Sequence, residues 1–213
     1  MVEKGDIAGV VKEIKDLFAL KQNEIESRLE EFRAAYQCCE NEGIFPELVF
    51  CLLTPQSKAK VCWNAVKNLK ASGLLLDGNQ EQIAKNLRGV RFKNKKAQYI
   101  VEARKIFLSE LSRFSDTYDM REWLVHNVKG IGYKEASHFL RNIGYGKRLA
   151  ILDRHILKNL RLLGIIKKIP ASLPKKRYLE IEKKVEKFSR GIKIPLDALD
   201  LVLWCKETGE IFK

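Results

Sequence analysis

The sequence predicts an all-α protein built from two helical subdomains. Three observations lead there. Apolar residues recur at helical spacing along nearly the whole chain, strand-like alternation is almost absent, and glycines and prolines fall where helices have to start and stop.

Ile7, Val10, Val11, Ile14, Leu17 and Phe18 recur at i, i+3, i+4 and i+7, which builds one face of a first helix. Pro46 suits the first turn of a helix running through Leu53, where a missing N–H costs nothing. Ser57 is placed to cap the helix after it, and Gly73 and Gly78 bracket a loop over Leu74 to Asp77. Further helices are expected from about Gln80 to Leu87, from about Asn94 to Ser112 and from about Asp119 to Val128.

The turn Gly130-Ile131-Gly132 then leads into a helix from Tyr133 to Ile143, with Ala136, Phe139, Leu140 and Ile143 on its buried face. Gly144 and Gly146 end that helix, and the apolar run Leu149-Ala150-Ile151-Leu152 leads to Asp153, the expected N-cap of a helix over Arg154 to Leu163. Pro174 and Pro195 open the last two helices at N1 positions.

With 213 residues and no internal repeat, the chain is expected to form one unit. Residues 44–147 make one subdomain, with a helix-hairpin-helix over 119–143, and residues 1–43 with 148–213 make the other. The cleft between them is expected to hold Lys134 and Asp153.

Charge points to the partner. Forty basic residues against 27 acidic ones leave a net charge of +13, which favours a polyanion such as nucleic acid or anionic lipid. No apolar run is long enough to span a bilayer, and the charged start Met1-Val2-Glu3-Lys4-Gly5-Asp6 lacks a signal-peptide core, so an intracellular place in cytoplasm or nucleoid is expected. The cysteines Cys38, Cys39, Cys51, Cys62 and Cys205 show no C-x-x-C pairing, so no disulfide framework, zinc site or iron–sulfur cluster is indicated, and most should be small buried residues. His126, His138 and His155 lack metal-ligand spacing, so no metal is assigned.

The glycines of Gly130-Ile131-Gly132 permit a tight turn with outward-facing amides and with Ile131 as its core anchor, a shape that binds a DNA phosphate without reading base sequence. Taken singly, such a turn is structural, Lys134 is an exposed first-turn lysine and Asp153 is an ordinary N-cap. The combination is more specific than its parts, because Lys134 stands two positions past the second glycine and Asp153 nineteen positions further on. A free lysine amine, with a pKa of about 10.4, is neutral in only about one molecule in 2,500 at pH 7, a deficit of roughly 4.6 kcal/mol. A nucleophilic lysine therefore needs desolvation, neighbouring cations or a proton acceptor, and an aspartate could stabilise a developing sugar cation.

From Val128 to Asp153 the sequence resembles the HhH-GPD superfamily of base-excision DNA glycosylases. The resemblance implies that Lys134 marks a bifunctional glycosylase/lyase and that Asp153 is the superfamily's aspartate. It implies amine attack at C1′ of an extruded nucleotide, loss of the base, a Schiff base, then β-elimination of the 3′ phosphate. It also implies a monovalent cation held by carbonyls around Lys129, Gly130 and Gly132 against a DNA phosphate, with no further cofactor required.

Two more segments extend the resemblance. Gln56, in Leu52-Leu53-Thr54-Pro55-Gln56-Ser57, matches an amide side chain that fills the hole left by the flipped base, although it also reads as a polar loop residue. Phe92 matches a wedge that props open the duplex, with Arg91, Lys93, Lys95 and Lys96 approaching phosphates; read without the family it is a core Phe in a basic stretch.

Endonuclease III-like and adenine-type members of the superfamily usually carry four C-terminal cysteines for an iron–sulfur cluster, whereas this chain has only Cys205 after Cys62; in this and in the segment from Pro195 to Lys213 it is similar to the compact archaeal-type 8-oxoguanine DNA glycosylase/lyases. That likeness implies a base pocket with Trp204 and Lys213, with Asp197 and Asp200 as candidate acceptors for the lesion's N7–H. Leu196, Leu199, Leu201 and Leu203 equally place Trp204 in a core, and Lys213 equally reads as a frayed end. The expected partner is duplex DNA carrying a damaged base, met by a monomer and with no membrane involved. Two alternatives stay open: the same chemistry on an oxidised pyrimidine, and a helix-hairpin-helix module that binds DNA without catalysis.

Overall fold

The computed structural model of the chain describes residues 7–37, 41–110 and 114–213. Among the described residues there is no strand. The helices are α1 (Ile7–Gln37), α2 (Asn41–Leu53), α3 (Ala59–Ala71), α4 (Leu74–Asp77), α5 (Gln80–Asn86), α6 (Lys93–Glu110), α7 (Thr117–Asn127), α8 (Tyr133–Asn142), α9 (Arg154–Leu162), α10 (Lys175–Ile192) and α11 (Leu196–Thr208). No described helix is long and apolar enough to cross a membrane.

The chain divides into two compact units, one formed by its ends, through Arg33 and from Gly144 on, and the other by Ala34–Ile143. In the second unit α2 is the hub. Every residue from Ile44 to Leu53 is buried, and α3, α6 and α8 pack against it. A helix covered on all sides carries no amphipathic stripe. In the first unit α11 has the same role, buried from Leu196 to Leu203 and packed by α9 and α10. Of the apolar face expected on α1 only Ile14 is fully buried, and the buried row continues through Ile25, Leu29 and Phe32.

Several local expectations are corrected. Pro46 lies inside α2, which starts at Asn41. Lys58, not Ser57, is the N-cap of α3, and it makes no side-chain cap bond. Leu74–Asp77 is a short helix rather than a loop, entered through Gly73 at φ 72°. Pro174 and Pro195 are N-caps, one residue before the N1 positions expected of them. Asn79 caps α5 in a reciprocal box with Gln82, and Asp116 caps α7 by accepting the amides of Tyr118 and Asp119. Cys51, Cys62 and Cys205 are free and buried, whereas Cys38, Cys39 and the expected helix end at Ser112 lie outside the described residues.

The buried run Leu149–Leu152 has no strand partner among the described residues; the Leu149 N–H and Ile151 O pair locally, with Gly146 O and the Asp153 N–H, and side chains satisfy groups between them. Glu182 accepts the Ala150 N–H at 2.9 Å, while the Tyr178 hydroxyl donates to Ala150 O and accepts the Leu152 N–H. Two residues of α10 thereby fix the segment that delivers Asp153.

Candidate functional site

The hairpin joining α7 to α8 is fastened on its inner side by Arg121. This guanidinium is fully buried, donates to Ser137 Oγ at 3.2 Å and lies 5.4 Å from the ring centroids of both Tyr118 and Tyr133. The Tyr133 hydroxyl reaches back to both carboxylate oxygens of Glu122, at 2.7 and 2.8 Å. Ile131 is buried, as a turn anchor should be, and its N–H donates to Val128 O.

The two glycines have different reasons to be there. Gly130 has φ +86°, and a Cβ on it would stand 2.5 Å from a ring carbon of Tyr99, so both conformation and space demand glycine. Gly132 is extended, at φ −103° and ψ −175°, and a Cβ there would meet only Glu135 Oε2, at 3.2 Å. Nor are both turn amides free to face a phosphate. The Gly132 N–H donates to Glu135 Oε2 at 3.3 Å, one half of a capping box whose other half glycine, lacking a side chain, cannot return. At a helix start the first amides have no intrahelical acceptor, and in α8 the Lys134 amide is one of them.

Lys134 is the second residue of α8, with 23% of its side chain exposed and its Nζ 3.3 Å from Glu135 Oε1. Glu135 thus holds the hairpin turn with one oxygen and the amine with the other. Its signal in the sequence is an acid three residues after the N-cap glycine, the spacing of a capping box. Lys96 and the thiols of Cys51 and Cys62 lie within the electrostatic reach of Lys134. Burial pushes the Cys62 thiol up to about 11 and the Cys51 thiol higher still, so neither competes as a nucleophile.

Lys96 is the main departure from expectation. It is only 5% exposed, turned inward, and its Nζ donates to Leu53 O and Pro55 O, each at 2.7 Å, and to Ser57 Oγ at 3.2 Å. It cannot approach a phosphate, whereas Arg91, Lys93 and Lys95 are exposed. Burial draws its ammonium below the usual lysine range.

Gln56 and Phe92 are both exposed, Phe92 to 59%, and both adopt a left-handed backbone, with φ 56° and 57°. For a residue with a side chain this costs of order 1–3 kcal/mol and persists only where the surroundings enforce it. Thr54-Pro55-Gln56-Ser57 is a turn closed by Ser57 N–H on Thr54 O at 2.9 Å, with Pro at its second position and the left-handed residue at its third, a place usually held by Gly or Asn. Phe92 is no core residue, and the Arg91 guanidinium lies 5.8 Å from its ring centroid. Lys129 is exposed and paired with Glu102 at 3.1 Å.

In the unit formed by the chain ends, Asp153 caps α9, Oδ1 accepting the Ile156 N–H at 2.8 Å, which leaves Oδ2 outside the cap. Trp204 is half-buried, with the His155 ring edge-on at 5.2 Å. Among the described residues its buried Nε1 finds no hydrogen-bond acceptor. Lys213 sets its ammonium 5.9 Å from the centroid of Phe32. Asp200 and Asp197 are buried, and Asp197 lines a cavity of about 750 Å³ with Ile25, Leu29, Arg33, Arg148 and Arg190. Trp204, Asp200 and Lys213 do not line that cavity, so Asp197 stands apart from the other pocket candidates. Among the described residues no group of His, Cys, Asp or Glu could hold a metal ion.

A family model described as 8-oxoguanine DNA glycosylase matches residues 25–194. A Fusobacterium nucleatum protein named 8-oxoguanine DNA glycosylase/AP lyase is 44% identical over 209 residues, 94% of this chain and 96% of its own length. One of the same name from Korarchaeum cryptofilum is 44% identical over 96% of this chain and all of its own. The crystal structure of a Methanocaldococcus jannaschii 8-oxoguanine glycosylase/lyase in complex with a 15mer DNA containing 8-oxoguanine superposes with a TM-score of 0.89, at 37% identity, over 95% of this chain and 99% of that one.

Proposed function

We propose that this chain, which belongs to the 8-oxoguanine DNA glycosylase family, excises 8-oxoguanine from duplex DNA and cleaves the resulting site with Lys134 as nucleophile. The observation that carries the assignment to Lys134 is its place on α8. It is the one lysine in the first turn after the hairpin, half-buried, and its Nζ is held by Glu135 while still reached by solvent.

The neutral amine forms a bond to C1′ as the bond from C1′ to the base breaks, its electron pair leaving with the base, which takes up a proton. Loss of the second amine proton and opening of the sugar give the imine. Removal of a C2′ proton then expels the 3′ phosphate by β-elimination. Asp153 stabilises the cationic sugar through the carboxylate oxygen that its cap leaves unused.

Gln56 fills the gap left by the extruded nucleotide and Phe92 parts the opposite stack, while Lys93 and Lys129 with the hairpin at Gly130 and Gly132 hold the backbone. For Lys129 this means exchanging Glu102 for a phosphate. Trp204 stacks on the extruded base, and Lys213, Asp200 and Asp197 are the groups offered to its polar edge. No backbone amide among the described residues donates to the carbonyls of Lys129, Gly130 or Ile131, so these oxygens fit a monovalent cation between turn and phosphate, where it would add positive charge. The chain acts as a monomer, inside the cell.

Borohydride trapping on duplexes with 8-oxoguanine, thymine glycol or unmodified guanine tests this reading. Wild type should form an adduct with 8-oxoguanine DNA and Lys134→Gln should form none. An adduct that survives in the variant removes Lys134 from the chemistry, and preference for thymine glycol makes the substrate an oxidised pyrimidine.

A further inference from the structure

One buried ammonium ties together two loops far apart in the sequence. Leu53 O, Pro55 O and Ser57 Oγ, the three acceptors of Lys96 Nζ, flank Gln56 on both sides. Ser57 Oγ also accepts the Arg91 N–H at 3.0 Å, the residue before Phe92, and the Lys96 N–H itself donates to Phe92 O at 3.0 Å. Lys96 and Ser57 therefore stand between Gln56 and Phe92, whose left-handed backbones need enforcing from outside.

A lysine is a costly residue to bury for packing alone. All three of its donors are engaged and no carboxylate is among its acceptors. What the cation supplies is a three-way junction for two carbonyls and a hydroxyl, giving Leu53 O a stronger donor than the Cys62 thiol, which lies 3.2 Å from it.

We propose, on the reading of Gln56 and Phe92 as the residues that enter the duplex, that Lys96 is a positioning residue for nucleotide extrusion, locking both loops into one rigid unit through Ser57. The ordering of the loops is then complete before DNA binds, and the amide and the ring meet the duplex at a set spacing. Lys96 itself does not touch DNA.

The test uses Lys96→Met, which keeps the volume and removes the donors, and Ser57→Ala, which keeps the lysine and cuts the link to Arg91. Extrusion is read from 2-aminopurine placed beside 8-oxoguanine in a duplex, alongside single-turnover excision from that duplex. Borohydride trapping on a single-stranded abasic oligonucleotide, which requires no extrusion, reports on the Lys134 amine. Both variants should lose at least about tenfold in extrusion and duplex excision while trapping stays within about twofold of wild type. Adding Gln56→Ala and Phe92→Ala to Lys96→Met should cost little more, because the lysine acts through them.

Wild-type extrusion in both Lys96→Met and Ser57→Ala, with Gln56→Ala and Phe92→Ala defective, overturns the positioning role alone. Wild-type extrusion in Gln56→Ala and Phe92→Ala overturns the reading of those two residues and the proposal with it. Equal loss on the single-stranded abasic substrate shows that Lys96 acts on the amine instead, and also overturns it.

Discussion

Glu135 Oε1 lies 3.3 Å from Lys134 Nζ, and the other oxygen of the same carboxylate accepts the Gly132 N–H at 3.3 Å. One side chain thus fixes the amine relative to the turn that precedes it. Glu135→Gln keeps an oxygen for the Gly132 amide and loses the ion pair, so the melting temperature should move little. Adduct formation should slow roughly tenfold, since displacement of a reacting group by about an ångström costs that much or more. Unchanged trapping rates would make Glu135 a cap and nothing else.

The hairpin glycines should respond differently to alanine. Gly130→Ala combines φ +86° with a Cβ 2.5 Å from the Tyr99 ring and should destabilise the fold by about 2–4 kcal/mol, read as a lower denaturation midpoint. Gly132→Ala is extended and meets only the movable end of Glu135, so stability should fall by less than about 1 kcal/mol while trapping slows as in Glu135→Gln. Similar losses of stability at the two positions would contradict this account.

Capping and chemistry can be separated at Asp153. Asn accepts the Ile156 N–H as Asp does, so Asp153→Asn should keep stability and lose base excision by more than about tenfold. Asp153→Ala should lose about 1 kcal/mol of stability as well. Full excision by a stable Asp153→Asn would reduce the residue to its structural part.

Glu207 provides a pH test in the unit formed by the chain ends. Its hydrogen bond from Lys158 at 2.7 Å, with that from Asn159 at 3.1 Å, holds the carboxyl below the ordinary glutamate value of 4.5. A depressed folded-state pKa means a contribution complete above the unfolded value and lost as pH falls through the folded one. Glu207→Gln should therefore be less stable than wild type at neutral pH, with the difference shrinking below about pH 4.5, as followed by denaturation across pH. A difference that does not change with pH would exclude the charge as its source.

The hairpin and the starts of α8 and α9 were legible because their causes are local. Asp153 caps α9 through an amide three residues on, and the class of the fold follows from apolar spacing within single helices. The hub helices were harder to place, since α2, buried from Ile44 to Leu53, has no polar face to set its phase. Lys96 was read with the exposed basic run around it because nothing within a few residues sets it apart. Its acceptors at Leu53 and Pro55 are 43 and 41 positions away.

By itself, then, the sequence determined an all-α chain, the hairpin, and the identities of Lys134 and Asp153 at helix starts, all of which rest on contacts within a turn or two of chain. Tertiary structure alone decided which lysine faces solvent and which is turned inward, that Gln56 and Phe92 take left-handed conformations beside one buried network, and that Trp204 meets His155. Burial and loop conformation are set by residues brought together across long stretches of chain, and no spacing along the sequence records them.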